Sequence, residues 1–482
     1  MKYSAGELVE KAGLFFWFLM IVSLPITSMP IVAKILGSDS VASPSILFLI
    51  PVSLLSIIPH VWQGKKFPSQ IVPLICFFCV AGIASVLSFF YVIPPFKSIQ
   101  QLPTVANAFI TLVIGILFFI AFSSLPKKLE VRQNSMRILN WSGALILLWC
   151  FVQAAYWYLY NHYPTWMFEL QGLISDRVLY RQRVTGFALE PSWLAHQLNL
   201  LYLPIWLTYS IINKTNHRFR LLVFTFENIL LFGGIITLFL TFSRVGLLSF
   251  ITMAVVLVLF LHGRILNQIE SYTLSTNSGN RKFSINRKLL SFLLFFAYSI
   301  FLLIIAFVLS RTDPRMANLF KFTFKQDNSL LRFFDDLKFG DRVVYWLTGW
   351  SIFNKYPLFG VGLGNSGFFF NDHIPSFGWT LVEVKKLMYH TDLLLNTKSL
   401  WVRLLAETGL IGFAFFAGWL YSTFRNCLSR IKSNNSEIRI LGGIGIFALA
   451  AMIAEGFSVD SFAMPYWWIC IGFSVSDYCE NL

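Results

Sequence analysis

Apolar residues in this chain fall in long blocks separated by short polar segments. Twelve blocks stand out, at about 13–33, 43–62, 71–93, 104–124, 138–160, 192–212, 221–242, 245–261, 289–310, 399–421, 440–457 and 462–478. A helix satisfies its own backbone hydrogen bonds in lipid, and roughly 17–25 residues of it cross a bilayer core of about 30 Å. The pattern therefore predicts an all-α polytopic membrane protein with about 12 transmembrane helices. Most blocks carry no charge; Glu227, Arg403, Glu407, Glu455 and Asp477 are the exceptions. Ser243-Arg244 divides 221–242 from 245–261 and predicts a tight reversal there.

Composition sharpens this picture. Of 482 residues, 56% are hydrophobic and 13% charged. A soluble protein of this size could not keep so much apolar surface from water, and collagen-like, disordered and disulfide-rich classes are excluded as well. The net charge of +15 could suit nucleic acid, but its placement points elsewhere. With the N-terminus in the cytoplasm, 20 of the 38 Lys and Arg fall in cytoplasmic segments, mostly short. The positive-inside rule then puts both termini in the cytoplasm. No nucleic-acid partner is expected, and the bilayer is.

Two longer segments face the other side in this orientation, 161–191 and 311–398. The expected organisation is 1–160 with five helices, 161–310 with the next four and the Ser-Arg turn, a large periplasmic loop at 311–398, and 399–482 with the last three. Asp341–Lys355 carries Val343, Trp346, Trp350 and Phe353 at helical spacing, which predicts an amphipathic helix on the outer membrane face. The glycine run Gly360–Gly367 has no following Lys-Thr/Ser and no preceding strand, so it reads as a flexible turn. Asn267–Lys288 reads as a flexible basic loop.

The side chains that could carry chemistry gather at the outer side. Arg183, Arg244, Arg342, Lys398 and Arg403 are cations at the apolar boundary, where charge is costly unless paired or used. Guanidinium forks bind phosphate oxygens bidentately and keep their charge; the alternative for each is snorkelling to lipid headgroups. Glu190, before Pro191-Ser192, reads either as a helix cap or as an acid able to deprotonate or orient a sugar hydroxyl. Arg403 and Glu407, four apart on one helix face, read as a pair that neutralises itself. His390 is a second candidate base, His373 a loop histidine and His196 a packed or hydrogen-bonded one. Cys76 and Cys79 lie inside an apolar run and read as packing, and no metal-ligand spacing is present.

Four segments resemble the bacterial O-antigen ligase/polymerase family of polytopic membrane glycosyltransferases. They are RVTGFALEPSWLA (183–195), LTFSRVGLL (240–248), DRVVYWLTGWSIFNKYPLFGVGLGNSGF (341–368) and SLWVRLLAETGLIGF (399–413), in the family's order. Ligases of the family carry a His-Asn pair eight or nine residues before the helix Glu. Here those positions are Ser399 and Lys398, which favours the polymerase branch. The resemblance implies a GT-C-like fold and an inner-membrane location with a periplasmic active site. It implies polymerisation of undecaprenyl-diphosphate-linked repeat units by inverting, metal-independent transfer, with no cofactor. Donor and acceptor would both be undecaprenyl-diphosphate-linked glycans, with a flippase and a chain-length regulator as further partners. Arg244 and Arg342 would contact the diphosphate, supported by Arg183 and Lys398. Glu190, then His390, would activate the acceptor, with Arg403 and Glu407 secondary. The alternatives are a ligase delivering glycan to lipid A core or protein, and a lipid-linked oligosaccharide flippase.

Overall fold

In a computed structural model, residues 5–37, 42–276, 287–312 and 340–477 are described. Residues 313–339 of the expected long loop and 277–286 of the expected basic loop lie outside them. Among the described residues, seven helices are long and apolar enough to cross a bilayer: Pro44–Trp62, Ile71–Ser88, Gln101–Ser124, Leu129–Tyr160, Arg244–Ile269, Leu400–Ile431 and Ser436–Glu455. The chain is thus a helical, multi-pass membrane protein, as its hydropathy requires.

Individual spans differ from the pattern for local reasons. The first stops at Ser23, and a separate short helix runs Pro30–Leu36. Pro25 and Pro30 each lack the N–H that a continuous helix needs. The stretch 191–212 is continuously helical but contains a π-helical turn, Leu198–Tyr202. The stretch 221–242 opens as a two-stranded hairpin, Arg220–Leu221 with Phe224–Thr225, and only Phe226–Leu240 is helical. The last apolar block is an eleven-residue helix, Pro465–Val475, buried on every side. At 1.5 Å per residue it is about 16 Å long. Its unbroken hydrophobicity marks a core helix instead of a full span.

The chain forms two compact units, Met1–Ser249 with Val344–Leu482, and Phe250–Val343. In the first, Pro465–Val475 packs on Gln101–Ser124 and Ser436–Glu455, while Leu400–Ile431 packs on Ile71–Ser88 and Ser436–Glu455. Trp467 stacks on Trp468 with centroids 3.9 Å apart, and Trp419 closes on both. In the second unit His262 lies 2.9 Å from Ser291 and stacks on Phe295, joining two helices.

The described part of the long loop shares a core with Phe96 and Ala406. Val344, Tyr345, Ile352, Phe368, Phe369, Phe370, Val384 and Met388 pack together. The expected helix forms as Gly340–Lys355, with Asp341 in its first turn and Lys355 in its last, matching the helix dipole. The face it buries is that of Val344, Tyr345 and Ile352, while Trp350, from the expected apolar stripe, stays 48% exposed.

One irregularity shapes everything near the loop. Helix Leu400–Ile431 is broken at Gly409, whose φ of 64° and ψ of −168° are non-helical. The freed backbone groups are met by the segment before the glycine run. Leu410 N–H donates to Pro357 O at 2.8 Å and Ile411 N–H to Leu358 O at 3.2 Å. Val361 and Gly362 N–H donate to Ala406 and Glu407 carbonyls at 3.0 and 2.9 Å. Non-helical backbone within a membrane bundle is tolerated where protein buries and bonds it.

Only glycine fits at 409, since a Cβ there would lie 2.2 Å from the Leu358 carbonyl oxygen. Gly409→Ala is expected to lower the thermal midpoint of the detergent-solubilised protein by several degrees, the strain alone costing about 1–3 kcal/mol. Gly418→Ala, which meets open space, should leave the midpoint within a degree or two; equal effects would dismiss the break as a requirement.

Candidate functional site

The break at Gly409 places the Glu407 carboxylate among donors from three directions. Arg403 Nε donates to Oε2 at 2.9 Å, Gly364 N–H to Oε2 at 2.8 Å and Ser366 Oγ to Oε1 at 2.8 Å. The expected Arg403–Glu407 pair thus forms, with side chains 13% and 3% exposed. Arg403 also donates to the Asp460 carbonyl and lies over the Phe462 ring, 5.0 Å from its centroid. Burial pushes the Asp460 carboxyl above the usual carboxylate range, and the Arg403 guanidinium opposes that.

The glycine run is not the flexible turn its composition suggests. Leu363 N–H donates to Ser85 Oγ at 2.9 Å, and the Asn365 amide donates to Ser88 Oγ at 2.9 Å and Val361 O at 3.0 Å. Apart from half-buried Gly364 the run is buried. A buried carboxylate needs several donors, and a chain of small residues can bring its N–H groups close enough to supply them. That role depends on a partner 41 and 43 residues away in sequence, so composition alone misreads the run.

The Ser-Arg turn is a second built feature. Phe226–Leu240 ends, Phe242 takes a φ of 46°, and a new helix begins at Arg244. Thr241 Oγ1 accepts from Ser243 N–H at 3.2 Å, and Ser243 Oγ accepts from Gly246 N–H at 3.3 Å, capping the new helix. Arg183 joins the turn: its Nε donates to Thr241 O at 2.8 Å, and Val184 N–H donates to Leu240 O at 3.1 Å. Arg183 therefore meets carbonyls at a helix C-terminus, where a cation is favoured, whereas half-buried Arg244 sits in a first turn, where the dipole opposes one.

Glu190 precedes its helix, but its side chain does not cap it. The Glu190 carbonyl accepts from Trp193 and Leu194 N–H at 3.0 and 3.1 Å. The carboxylate pairs instead with Arg177 and accepts from Ser192 Oγ at 3.3 Å. Arg177 escaped the sequence reading because it is one of three arginines in a polar segment with no periodicity. Its guanidinium is held charged by the Tyr180 hydroxyl and by Glu190.

Lys398 is bound to Glu383 at 2.6 Å and lies 5.1 Å from the centroid of the Tyr345 ring. Its charge is already partnered, which argues for a structural share in its placement. His390 ends the helix Val382–His390, exposed, with no bond to Glu190 or Glu407. His373 Nδ1 lies 2.9 Å from Phe369 O. Arg342, in the first turn of Gly340–Lys355, is half-buried and belongs to the second compact unit. His196, expected to be packed or hydrogen-bonded, lies against buried Glu455; the signal for that partner was a lone acid in an apolar block. Cys76 and Cys79 are free thiols on Ile71–Ser88, half-buried and exposed. Among the described residues no cluster of three or more His, Cys, Asp or Glu could hold a metal.

Removing one member of the Arg403–Glu407 pair leaves a buried charge, at a cost of about 3–5 kcal/mol. Glu407→Leu is therefore expected to deplete the protein in membrane fractions. The double variant Arg403→Met with Glu407→Leu should recover most of it. A double variant as depleted as the single would show that the pair is not the reason.

Residues 229–417 match the family model described as O-antigen ligase. No curated protein matches the chain. The matched stretch contains the Ser-Arg turn, the helix Gly340–Lys355, the glycine run and the Glu407 kink, whose contacts are described above. Over these residues the chain is similar to the O-antigen ligase family.

Proposed function

We propose that this protein polymerises undecaprenyl-diphosphate-linked oligosaccharide repeat units at the periplasmic face of the bacterial inner membrane, with both termini in the cytoplasm. The observation that carries the reading is the Ser-Arg turn, where Arg183 is fastened beside the first turn of the helix that Arg244 opens. A cation in that first turn is unfavourable for the helix by itself. It becomes favourable when an anion lies there too, because helix N–H groups and guanidinium then act on it together.

The reaction follows from this chemistry. A hydroxyl of the acceptor unit attacks the anomeric carbon of the donor glycan. The bond from that carbon to the diphosphate oxygen breaks, and configuration inverts. The hydroxyl proton passes to a base, for which Glu190 is the first candidate and His390 the second. Charge grows on the leaving diphosphate, and Arg244, with Arg183 beside it, stabilises that charge. Arg342 carries the same assignment from its sequence position alone, and Lys398 a supporting one. The bond that breaks is already activated, so no nucleotide is consumed. A flippase would deliver the repeat units and a chain-length regulator would set the product.

Ser399 and Lys398, standing where ligases of the family carry their His-Asn pair, favour polymerase over ligase. The description of the matching family model favours the ligase. A strain lacking this chain separates the two. Loss of a polymerase leaves single repeat units on the acceptor, whereas loss of a ligase leaves full-length glycan on the lipid carrier.

In the complemented strain, Arg244→Glu and Arg342→Glu are each expected to reduce transfer by about 10²–10³-fold at unchanged membrane levels. Lys398→Ala should cost much less, since its charge already answers Glu383. Polymer of unchanged length and amount from Arg244→Glu would remove Arg244 from the site.

A further inference from the structure

The proposed reaction makes no use of three buried polar side chains beside the Ser-Arg turn. His196 Nδ1 lies against Glu455 Oε2, with side chains 5% and 1% exposed. The Asn199 amide nitrogen donates to Glu455 Oε1 at 2.9 Å and to the Gly246 carbonyl at 2.7 Å. A buried polar contact of this kind is a poor source of stability, because apolar residues of the same volume commonly do as well or better. What such a network does supply is a fixed direction for each member.

The direction it fixes is that of the helix Arg244 opens. Gly246 is two residues past Arg244, so the Asn199 amide holds the same turn from which the guanidinium projects. His196 and Asn199 flank the start of the π-helical turn Leu198–Tyr202. Such turns insert a residue and reorient side chains, and they recur at functional sites. The two helices approach closely enough there that a Cβ at position 246 would lie 2.6 Å from Ala195 Cβ. Ser249 Oγ then binds Ala451 O at 2.9 Å, tying the Arg244 helix to the helix that ends at Glu455. The next residue, Gly456, accepts from Leu400 N–H at 2.7 Å and from Ser399 Oγ at 3.1 Å. The same corner therefore fixes the start of the helix that bears Arg403.

We infer that His196, Asn199 and Glu455 are positioning residues for Arg244. Glu455 orients the Asn199 amide, His196 holds the Glu455 carboxylate in place, and the amide sets the first turn of the Arg244 helix. The inference rests on the assignment of Arg244 to the diphosphate.

The test is a double-mutant cycle read by binding of undecaprenyl diphosphate, without sugar, to the full chain in nanodiscs. Arg244→Gln is expected to weaken binding about 30-fold and Asn199→Leu about tenfold. The double variant should bind no more weakly than Arg244→Gln alone, within twofold, because Asn199 acts through a group already lost. Glu455→Gln, which keeps the shape and an oxygen for Asn199, serves as the milder second variant. It should weaken binding by a few-fold, again with no added effect on Arg244→Gln, and it decides the matter if Asn199→Leu does not fold. Multiplying effects would overturn the positioning role, since a purely structural lesion adds to the loss of Arg244. Weak binding by Arg244→Gln with wild-type binding by Asn199→Leu and Glu455→Gln would overturn it too, leaving the diphosphate assignment standing. Wild-type binding by Arg244→Gln would overturn the diphosphate assignment, and the inference with it.

Discussion

A carboxylate buried in an apolar bundle must be answered by donors, and the Glu407 carboxylate organises its surroundings accordingly. It takes one hydrogen bond from its own helix, through Arg403, and two from the glycine run, through Gly364 and Ser366. The helix can present it there only because Gly409 breaks the regular backbone, and the break is tolerable only because residues 357–362 meet the freed groups. Charge, kink and glycine run form one unit, each intelligible through the other two. Through Arg403 that unit extends to Asp460 and Phe462.

The same accounting separates the remaining cations. Arg183 has the C-terminal carbonyls of a helix to bind, and Lys398 has Glu383. Arg177 has Glu190. Arg244 and Arg342 each sit in the first turn of a helix, where the dipole disfavours a cation, and the Arg244 helix is held by a buried His-Asn-Glu network.

Much of the fold was legible in the residues. Apolar blocks of bilayer length gave the helical class and most of the seven long spans, because lipid leaves the backbone few options. The helix break at Ser243-Arg244 and the Arg403–Glu407 pair were also readable, since a polar interruption and an i,i+4 spacing are local signals. The hairpin at Arg220–Thr225 and the core helix Pro465–Val475 were not. Hydropathy reports that a residue avoids water, without distinguishing lipid from protein as its surroundings.

Sequence by itself determined that this chain lives in a membrane, that a helix breaks at Ser243-Arg244 and that Arg403 faces Glu407, because those properties belong to single residues and short spacings. Tertiary structure alone decided that the glycine run is a cradle for Glu407, that Glu190 faces Arg177 and that His196, Asn199 and Glu455 meet. Those contacts join positions up to some 250 residues apart, and no local pattern records which distant donor a buried acceptor will find.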